Sequence, residues 1–373
     1  MDRTLRLVFF TAHYHPHRGG IEKYVDRLAR TLTDYGCESM VITSTISSNT
    51  PYEVVNTIPV YRIPTVDLIG GEYPVPYPSR GLRRAIRAIE SFEPDFIVTN
   101  TRYFLTSCLG MRIARRRGIR TIHLDHGSDL ASTPNPLFSR IARLVDRMVG
   151  RFVIRNADYC AGVSGDVNAF LARTFGRECD AIFPNAVDVE EPLAQPRSQG
   201  VVYGFAGRLI EEKGVLLAIE AFEAVKEQVP DAVFRIAGTG PLVDRIRKDP
   251  SVEYVGLLTP EQMPGFYASI DVFLLPTWYR EGFATAVLEA GMHEKLVITT
   301  DRGSARDLIP DDSYGRIIPQ RDVAALTEAM LAYATPHPKI ARKLRARVLE
   351  RFTWDTTAQR FSEAIGSWYA QSS

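Results

Sequence analysis

The feature that most constrains this chain is a regular alternation of short apolar runs with amphipathic helical stretches. "LRLVFFTA" is a β-type run. "GGIEKYVDRLARTLTDYG" follows with apolar residues at helical spacing, and "ESMVITS" then resumes the strand pattern. Apolar strands separated by helices are typical of parallel sheets that are covered on both faces. The alternation therefore predicts an α/β fold that is built on parallel sheets.

The alternation is interrupted once, in the segment "PNAVDVEEPLAQPRSQG" over residues 184–200. This segment holds three prolines and has no helical periodicity, so we interpret it as an interdomain linker. Beyond it the pattern restarts with "GVVYGFAG", "AVFRIAG", "VEYVGLL" and "DVFLLPT". We predict two Rossmann-like domains, over residues 1–185 and 186–352, with the carboxyl ends of their strands facing a central cleft.

The composition limits the classes of function that come into question. A formal net charge of +1 over 373 residues gives no reason to expect a nucleic acid partner. No apolar run approaches the roughly 18 residues that a membrane-spanning helix needs, and the first residues do not read as a signal peptide. The four cysteines are widely spaced, so we expect reduced thiols and no zinc site. We expect a cytoplasmic protein.

Four glycine-containing loops follow successive strands of the second domain. They hold Gly207, Arg208 and Lys213 in "FAGRLIEEKG", Gly238 and Gly240 in "IAGTGPL", Gly256 in "YVGLLTP", and Glu281 and Gly282 in "TWYREGF". Glycine lets the backbone approach a ligand closely, and arginine and lysine suit phosphate oxygens. Any one of these loops could be a plain turn. Four of them in one domain favour a site for a ligand that carries phosphate.

Two glutamates frame the last of these loops, in "YREGFATAVLEAGM". A helix that starts at Gly282 or Phe283 would turn its free N–H groups toward the strand ends, where a diphosphate fits. Glu289 would lie on another face of that helix and could accept hydrogen bonds from a ribose diol. Glu281, before the helix, could reach hydroxyls attached to the diphosphate. The alternative is that Glu281 only complements the helix dipole and Glu289 faces water.

The spacing of Glu281 and Glu289 resembles the E-x7-E motif of retaining glycosyltransferases of the GT-B fold, in particular glycosyltransferase family 4 of the group 1 type. "GRLIEEKG" resembles the G-R-L-x-x-x-K-G loop of that family, "IAGTGPL" its G-x-G-P loop and "PNAVD" its domain boundary. The resemblance runs through most of residues 182–310. It continues more loosely in "HRGGIEKYVDRLARTL" and "LDHGSDL".

The resemblance implies a role for each matching position. Arg208 and Lys213 would hold the donor diphosphate, and Glu281 would bind the donor sugar. Glu289 would bind the ribose, and the main chain around Leu257 would meet the base. The remaining residues implied at the donor site are Gly19, Gly20, Gly207, Gly238, Gly240, Gly282, Phe283, Ala284 and Thr285.

The same resemblance places His126, in "HLDHGSDL", beside the reacting carbon. With Arg208, Lys213 and Glu281 it completes the implied catalytic set. From the residues alone, a histidine at a strand end can equally be structural. For the acceptor we expect the first domain to supply Tyr14, His17, Arg18, Tyr73, Tyr103 and Asp129. The final segment, residues 353–373, would be a helix that packs back on the N-terminal domain.

The implied reaction moves a sugar from a nucleoside-diphosphate sugar to a hydroxyl of a glycan or lipid-linked acceptor, with retention of anomeric configuration. We expect a UDP-sugar before a GDP-sugar, and a place in cell-surface polysaccharide or glycolipid synthesis. No Asp-x-Asp motif accompanies the loops, so we expect no metal ion and no cofactor beyond the donor. Two alternatives remain: a nucleotide-sugar epimerase of the same fold, and a non-catalytic GT-B protein that serves as a binding or partner component.

Positive charge is concentrated in the first part of the chain. Residues 1–156 hold 22 basic and 14 acidic residues, and residues 157–373 hold 23 and 30. Five arginines recur every three or four residues in "SRIARLVDRMVGRFVIRN": Arg140, Arg143, Arg147, Arg151 and Arg155. They predict a basic amphipathic helix that can lie on an anionic membrane surface or meet the phosphates of an acceptor. The alternative is a domain helix with a solvated basic face.

Overall fold

The computed structural model describes residues 3–17, 19–45, 48, 50–67, 73–131, 136–193, 200–280 and 282–371, without the side chains of residues 136 and 138. The chain divides into two compact units. The first unit comprises Met1–Asn185 together with Trp354–Ser373, and the second comprises Ala186–Thr353. Residues 184–193 contain no helix and only one isolated bridge, between Val187 and Thr353.

The described residues of the first unit form ten strands. They are β1 (Leu5–Phe10), β2 (Cys37–Ser44), β3 (Tyr52–Val55), β4 (Ile58–Ile63), β5 (Thr65–Asp67), β6 (Pro74–Pro76), β7 (Phe96–Asn100), β8 (Arg120–Asp125), β9 (Tyr159–Gly162) and β10 (Ala181–Ile182). Eight of them form a sheet in the order β10-β9-β8-β7-β1-β2-β4-β3, and β5 pairs with β6 separately. Among the described strands of the large sheet, β3 alone runs antiparallel to its neighbour, β4.

The central strand β1 explains why this sheet needs helices on both faces. Val8 pairs with Met40 of β2 on one side and with Ile97 of β7 on the other, and all three side chains are buried. A strand that is apolar on both faces has to be covered from both sides. The covering helices that precede the interdomain segment are α1 (Gly20–Thr31), α2 (Arg80–Phe92), α3 (Leu105–Arg117), α4 (Pro136–Asn156) and α5 (Gly165–Phe175).

In the described part of the second unit, six strands form one sheet in which every neighbouring pair is parallel. Its strands are β11 (Val202–Ala206), β12 (Val233–Ala237), β13 (Glu253–Gly256), β14 (Val272–Leu275), β15 (Leu296–Thr300) and β16 (Arg316–Ile318), in the order β13-β12-β11-β14-β15-β16. Its helices are α6 (Val215–Gln228), α7 (Val243–Arg247), α8 (Met263–Ala268), α9 (Thr285–Met292), α10 (Ala305–Leu308), α11 (Val323–Ala332) and α12 (Pro338–Arg351). The predicted α/β class with parallel sheets is confirmed.

One helix start differs from the prediction. Helix α9 begins at Thr285 and not at Gly282 or Phe283, and Ala284 is its N-cap residue with φ −84° and ψ 83°. Phe283 and Ala284 are buried, so their side chains anchor the loop to the unit before the helix can start. Packing of these two side chains therefore overrides the pattern of small residues from which the earlier start was predicted.

The last helix, α13 (Trp354–Ala370), belongs to the first unit. The ring of Trp368 stacks on that of Tyr159 with a centroid separation of 4.2 Å. The fully buried Phe361 lies with its ring 4.7 Å from that of Phe183. The Thr357 hydroxyl donates to the carbonyl oxygen of Pro184 at 3.2 Å. These contacts make α13 part of the core of the first unit.

We therefore expect Phe361→Ala to destabilise the first unit by about 3–5 kcal/mol, because a large cavity would open against Phe183. Thermal unfolding followed by tryptophan fluorescence measures this, since Trp354 and Trp368 report on the first unit and Trp278 on the second. Gln359→Ala, which changes an exposed position of the same helix, is the matched control. An unfolding curve for Phe361→Ala that overlays the control would contradict this account of α13.

Candidate functional site

The loops that follow β11, β12 and β14 lie at one edge of the second sheet and are hydrogen-bonded to each other. The Leu209 N–H donates to the Thr239 carbonyl oxygen at 2.8 Å. The Trp278 N–H donates to the Glu212 carbonyl oxygen at 2.9 Å, and the Thr277 hydroxyl donates to the same oxygen at 3.1 Å. The structure thus joins three of the four glycine-containing loops into one connected surface.

Gly238 shows why one of these loops requires glycine. Its φ is +134°, a conformation that L side chains rarely adopt. A Cβ at this position would overlap the carbonyl oxygen of Gly207 in the neighbouring loop. Glycine here therefore lets the loops after β11 and β12 pack backbone against backbone, as a closely approaching ligand would also require.

Two cations belong to the loop after β11. Arg208 is exposed, and Lys213 places its ammonium 5.3 Å from the centre of the Tyr279 ring, in the loop after β14. At the outer edge of the sheet, Leu257 follows β13 and is 69% exposed. An exposed guanidinium and an ammonium in the loop at the end of one strand suit an anionic ligand such as a diphosphate.

Glu289 is held by a tyrosine of the preceding helix α8. The Tyr267 hydroxyl donates to Oε2 of Glu289 at 2.9 Å. Burial raises the pKa of Tyr267 well above its usual value, and the charge of Glu289 and this hydrogen bond add to the effect. The phenol therefore stays a donor at neutral pH. Glu289 itself is only partly buried, so a carboxylate of fixed orientation reaches the surface of the second unit.

His293 packs against the ring of Tyr267. The two rings stack with a centroid separation of 5.1 Å, and Nε2 of His293 lies 3.3 Å from Oε2 of Glu190. Burial lowers the pKa of His293 to about 4, and the charges of Lys295 and Arg345 contribute. His293 is therefore neutral at pH 7, and it fixes the tyrosine ring without adding a charge next to Glu289.

In the first unit, His126 follows β8 and contacts Asn100 at the end of β7. Its Nε2 lies 3.2 Å from Oδ1 of Asn100, whose amide nitrogen donates to the Phe10 carbonyl oxygen. Because that arrangement turns the amide oxygen toward the histidine, we assign the imidazole proton to Nε2. Burial lowers the pKa of His126 to about 4. The ring is thus a neutral imidazole whose Nδ1 can accept a hydrogen bond.

The loop that carries His126 and Asp129 is fastened by a buried arginine. Arg102 donates to Oδ1 of Asp125 at 2.8 Å and to Oδ2 of Asp146 at 3.0 Å, and all three side chains are fully buried. Arg102 also donates to the carbonyl oxygens of Gly127 and Asp129. Burial alone would raise the pKa of Asp125, but Arg102 and His123 outweigh it and hold that pKa below the ordinary range.

Three of the residues predicted to bind the acceptor belong to one aromatic cluster. The rings of Tyr73 and Tyr103 lie 5.8 Å and 4.6 Å from the ring of Phe104. His13 lies 5.8 Å from the same ring and stacks on His17 at 4.6 Å. Burial raises the pKa of Tyr73 to about 12. The cluster joins the loops after β1 and β7, at the carboxyl edge of the first sheet, to Tyr73, which directly precedes β6.

Tyr14 requires a correction. Its side chain is fully buried, and its hydroxyl donates to Oδ1 of Asp26 at 2.8 Å. Burial, followed by the charge of Asp26, raises the pKa of Tyr14 far above its usual value. Tyr14 therefore stabilises the start of the first unit from inside and does not offer its side chain to an acceptor.

The remaining predicted residues are placed as follows. Gly19 caps the start of α1, and Gly20 is the first residue of that helix. Asp129 is partly buried and accepts from the Leu130 N–H at 2.6 Å. Glu281 and Arg18 lie outside the described residues, so their predicted roles stay predictions.

Two further properties concern only the described part of the chain. There, no group of three or more histidine, cysteine, aspartate or glutamate side chains could hold a metal ion. Within the same residues, no helix is both long enough and apolar enough to cross a bilayer.

Comparison with protein families accounts for both units. The family described as Glycosyltransferase Family 4 matches residues 18–191, and the family described as Glycosyl transferases group 1 matches residues 200–335. The chain belongs to the group 1 glycosyltransferases of family 4 type. The resemblance drawn from Glu281, Glu289 and the glycine loops is thereby confirmed at the level of the family.

Two relatives illustrate the distance to known proteins. An uncharacterized glycosyltransferase of Methanocaldococcus jannaschii is 23% identical over 337 residues, which is 85% of this chain and 86% of that protein. A component of the phosphatidylinositol N-acetylglucosaminyltransferase of Arabidopsis thaliana is 23% identical, over 95% of this chain and 80% of that protein.

Solved structures of other glycosyltransferases share the fold. A sucrose-phosphate synthase from Thermosynechococcus elongatus superposes with a TM-score of 0.76 at 19% identity, over 98% of this chain and all of that one. Anabaena HepE in complex with UDP and glucose gives a TM-score of 0.72 at 16% identity, over 97% of this chain and all of that one. The predicted GT-B class, with its two Rossmann-like domains, is confirmed.

The hydrogen bond from Tyr267 to Glu289 leads to a prediction about the nucleotide affinity of this glycosyltransferase. Tyr267→Phe keeps the ring but removes one donor, so a nucleoside diphosphate should bind about 2- to 13-fold more weakly. Inorganic diphosphate has no ribose, so with the role for Glu289 that the resemblance implies, its affinity should be unchanged. Isothermal titration calorimetry with both ligands measures the difference.

Tyr203→Phe is the matched control. It removes a buried hydroxyl that donates to the Met330 carbonyl oxygen at 2.8 Å in the same unit, away from the strand-end loops. If Tyr267→Phe weakened the binding of both ligands equally, or of neither, Tyr267 would have no role in positioning the Glu289 carboxylate toward a ribose.

Proposed function

We propose that this glycosyltransferase transfers a sugar from a nucleoside-diphosphate sugar to a hydroxyl of a glycan or lipid-linked acceptor, with retention of anomeric configuration. The observation that carries the proposal is the connected edge of the second sheet, where Arg208, Lys213 and the start of α9 adjoin one surface. A phosphate-bearing donor is the ligand that this combination of cations and glycine loops suits best.

In the proposal, Arg208 and Lys213 neutralise the donor diphosphate and the first turn of α9 adds its N–H groups. No described side chain caps that first turn. Because cations and helix dipole supply the positive charge, the proposed reaction does not depend on a divalent metal ion. Stabilising the charge of a leaving diphosphate in this way lowers the barrier directly.

The nucleoside is assigned to two features of the second unit. Glu289, held by Tyr267, accepts hydrogen bonds from the ribose hydroxyls, and the main chain beside the exposed Leu257 meets the base. We propose UDP before GDP as the nucleotide, and Anabaena HepE, which shares the fold, was solved with UDP. Glu281 is assigned to the donor sugar on the strength of its sequence position alone.

The proposed chemistry needs no protein nucleophile. The acceptor oxygen forms a bond to the anomeric carbon on the face from which the diphosphate leaves. The bond from that carbon to the phosphate oxygen breaks, and the departing phosphate oxygen takes the acceptor proton. The protein contributes positioning and charge stabilisation. Neutral His126 offers an acceptor nitrogen for a hydroxyl.

For the acceptor we propose the aromatic cluster at the carboxyl edge of the first sheet, formed by His13, His17, Tyr73, Tyr103 and Phe104. Aromatic rings beside polar groups suit the faces and hydroxyls of a sugar. The Arabidopsis relative carries phosphatidylinositol in its name, which supports a lipid-linked acceptor presented at a membrane surface. We propose cell-surface polysaccharide or glycolipid synthesis as the setting.

The test is an incubation with a panel of UDP- and GDP-sugars, each with and without lipid-linked and free glycan acceptors. We expect a product only when acceptor is present, without added metal, and nuclear magnetic resonance should show the anomeric configuration of the donor preserved. Glu281→Gln should lower turnover by about 10²- to 10³-fold, since it removes a contact to the reacting sugar. Its affinity for free nucleotide should stay near that of the wild type.

Glu227→Gln, at an exposed position of α6, is the matched control and should retain full activity. Conversion of the nucleotide sugar in the absence of any acceptor would assign an epimerase. Nucleotide binding without any turnover would assign a non-catalytic partner protein. Inversion at the anomeric carbon would overturn the retaining mechanism while leaving a transferase.

A further inference from the structure

The outward face of α4 is apolar. Leu137, Ile141, Leu144 and Met148 follow one another at intervals of four, three and four residues, so they form one line along the helix. Their exposed fractions are 63%, 52%, 60% and 65%. A surface helix of a globular protein normally turns such a line toward the core and its charges toward water. Here the apolar line points away from the unit.

The opposite face of α4 is fixed in the unit and prevents the helix from turning over. Asp146 is fully buried and accepts from Arg102 at 3.0 Å and from the Ala131 N–H at 2.7 Å. Gly150 lies so close to α5 that an added Cβ would be 3.0 Å from the Phe175 ring. Rotating the helix to hide the apolar line would break the ion pair of Arg102, which is costly for buried charges.

Arginines line one side of the exposed apolar row. Arg140, Arg143, Arg147 and Arg151 are all exposed, and none of them forms an ion pair with a described residue. At 100° per residue they lie on one flank of the row formed by Leu137, Ile141, Leu144 and Met148. The only acidic residue of the helix is Asp146, which is buried, so the whole outward face is apolar or positive.

An exposed apolar row beside a row of arginines indicates what kind of partner this face of α4 can bind. Apolar side chains gain from entering the acyl boundary of a bilayer, while arginines on the same helix reach lipid phosphates. A symmetric contact between the α4 faces of two copies would bring arginines against arginines with no acidic residue between them. A nucleic acid would leave the apolar row without a contact. Charge and apolarity are satisfied together by an anionic phospholipid surface.

We propose that the outward face of α4, formed by Leu137, Ile141, Leu144, Met148 and the flanking arginines, is a docking surface for an anionic phospholipid bilayer, with the helix lying parallel to the membrane plane. The purpose of the docking rests on the proposed function, because a lipid-linked acceptor would be found at that surface. The docking itself is measured without donor, acceptor or turnover, so the two claims can fail separately.

The first experiment is flotation of the full chain with vesicles of phosphatidylcholine alone or mixed with phosphatidylglycerol, at low and at high salt. We expect binding to the mixed vesicles at low salt only. Leu144→Ser combined with Met148→Ser should weaken it by about tenfold or more, because two apolar side chains no longer enter the lipid. Arg143→Gln and Arg147→Gln should each weaken it by about fivefold.

Matched controls come from other surfaces of the first unit. Arg83→Gln with Arg84→Gln removes two exposed arginines from α2, and Tyr52→Ser with Val54→Ser removes two exposed apolar side chains from β3. Both double variants should bind like the wild type. If the α2 variant lost as much vesicle binding as the α4 variants, the overall positive charge of the first unit would explain the binding. The proposed docking surface on α4 would then be refuted.

Insertion is tested with Leu144→Trp. Its added fluorescence should shift to the blue on mixed vesicles and be quenched by brominated lipids. Absence of binding at low salt, or wild-type binding by the double serine variant, would overturn the proposal. The proposal would also be overturned if sedimentation showed a dimer that the double serine variant abolishes, because the outward face of α4 would then bind a second copy of the chain. Turnover of the serine variant with a water-soluble acceptor should be normal, which separates docking from the transfer reaction.

Discussion

Parallel pairing of strands is the constraint on which the rest of this structure depends. A parallel strand can be joined to its neighbour only by a crossover on the face of the sheet, so successive strands end at the same edge. In the second unit this brings the loops after β11, β12 and β14 into hydrogen-bonded contact. Arg208, Lys213 and the start of α9 share one edge for that reason, although α9 begins far along the chain from the two cations.

The features that could be predicted from the sequence are those that depend on hydrophobic periodicity and on the residue types of the loops. Apolar strands, alternating helices and glycine loops were enough for the α/β class, the parallel sheets and the family. The start of α9 was predicted wrongly because Phe283 and Ala284 are buried, which a run of small residues does not reveal. Tyr14 was misplaced for the same reason, since its tertiary partner Asp26 lies twelve residues away on α1.

The residues that sequence reasoning missed act through partners that only the fold supplies. Tyr267 lies 22 positions before Glu289 and becomes its donor because α8 packs beside α9. Arg102 lies in the loop just after β7, at the second position beyond the strand, and this place at a strand end is a signal that could have identified it. Its role depends on Asp125 and Asp146, which lie 23 and 44 positions away. No local sequence pattern encodes such pairs. The loops of a site can therefore be predicted from the sequence, but the residues that hold those loops in place cannot.

Arg102 also connects two surfaces of the first unit. Through Asp125 and the carbonyl oxygens of Gly127 and Asp129 it holds the loop with His126. Through Asp146 it fixes the rotation of α4, whose apolar row is thereby kept outward. The sequence predicted a basic amphipathic helix there. It could not show which face points inward, because Asp146 looks like a surface charge until its buried partner is known.

The central claim is that the edge of the second sheet binds a nucleoside diphosphate through protein cations and without a metal ion. Calorimetric titration of UDP and GDP in the presence of a chelator, with wild type, Arg208→Ala, Lys213→Ala and the distant control Lys226→Ala, tests it most directly. The account predicts binding in the chelator and affinities at least about tenfold lower for Arg208→Ala and Lys213→Ala, with Lys226→Ala unchanged. Binding that requires added magnesium, or affinities equal across all four proteins, would contradict it.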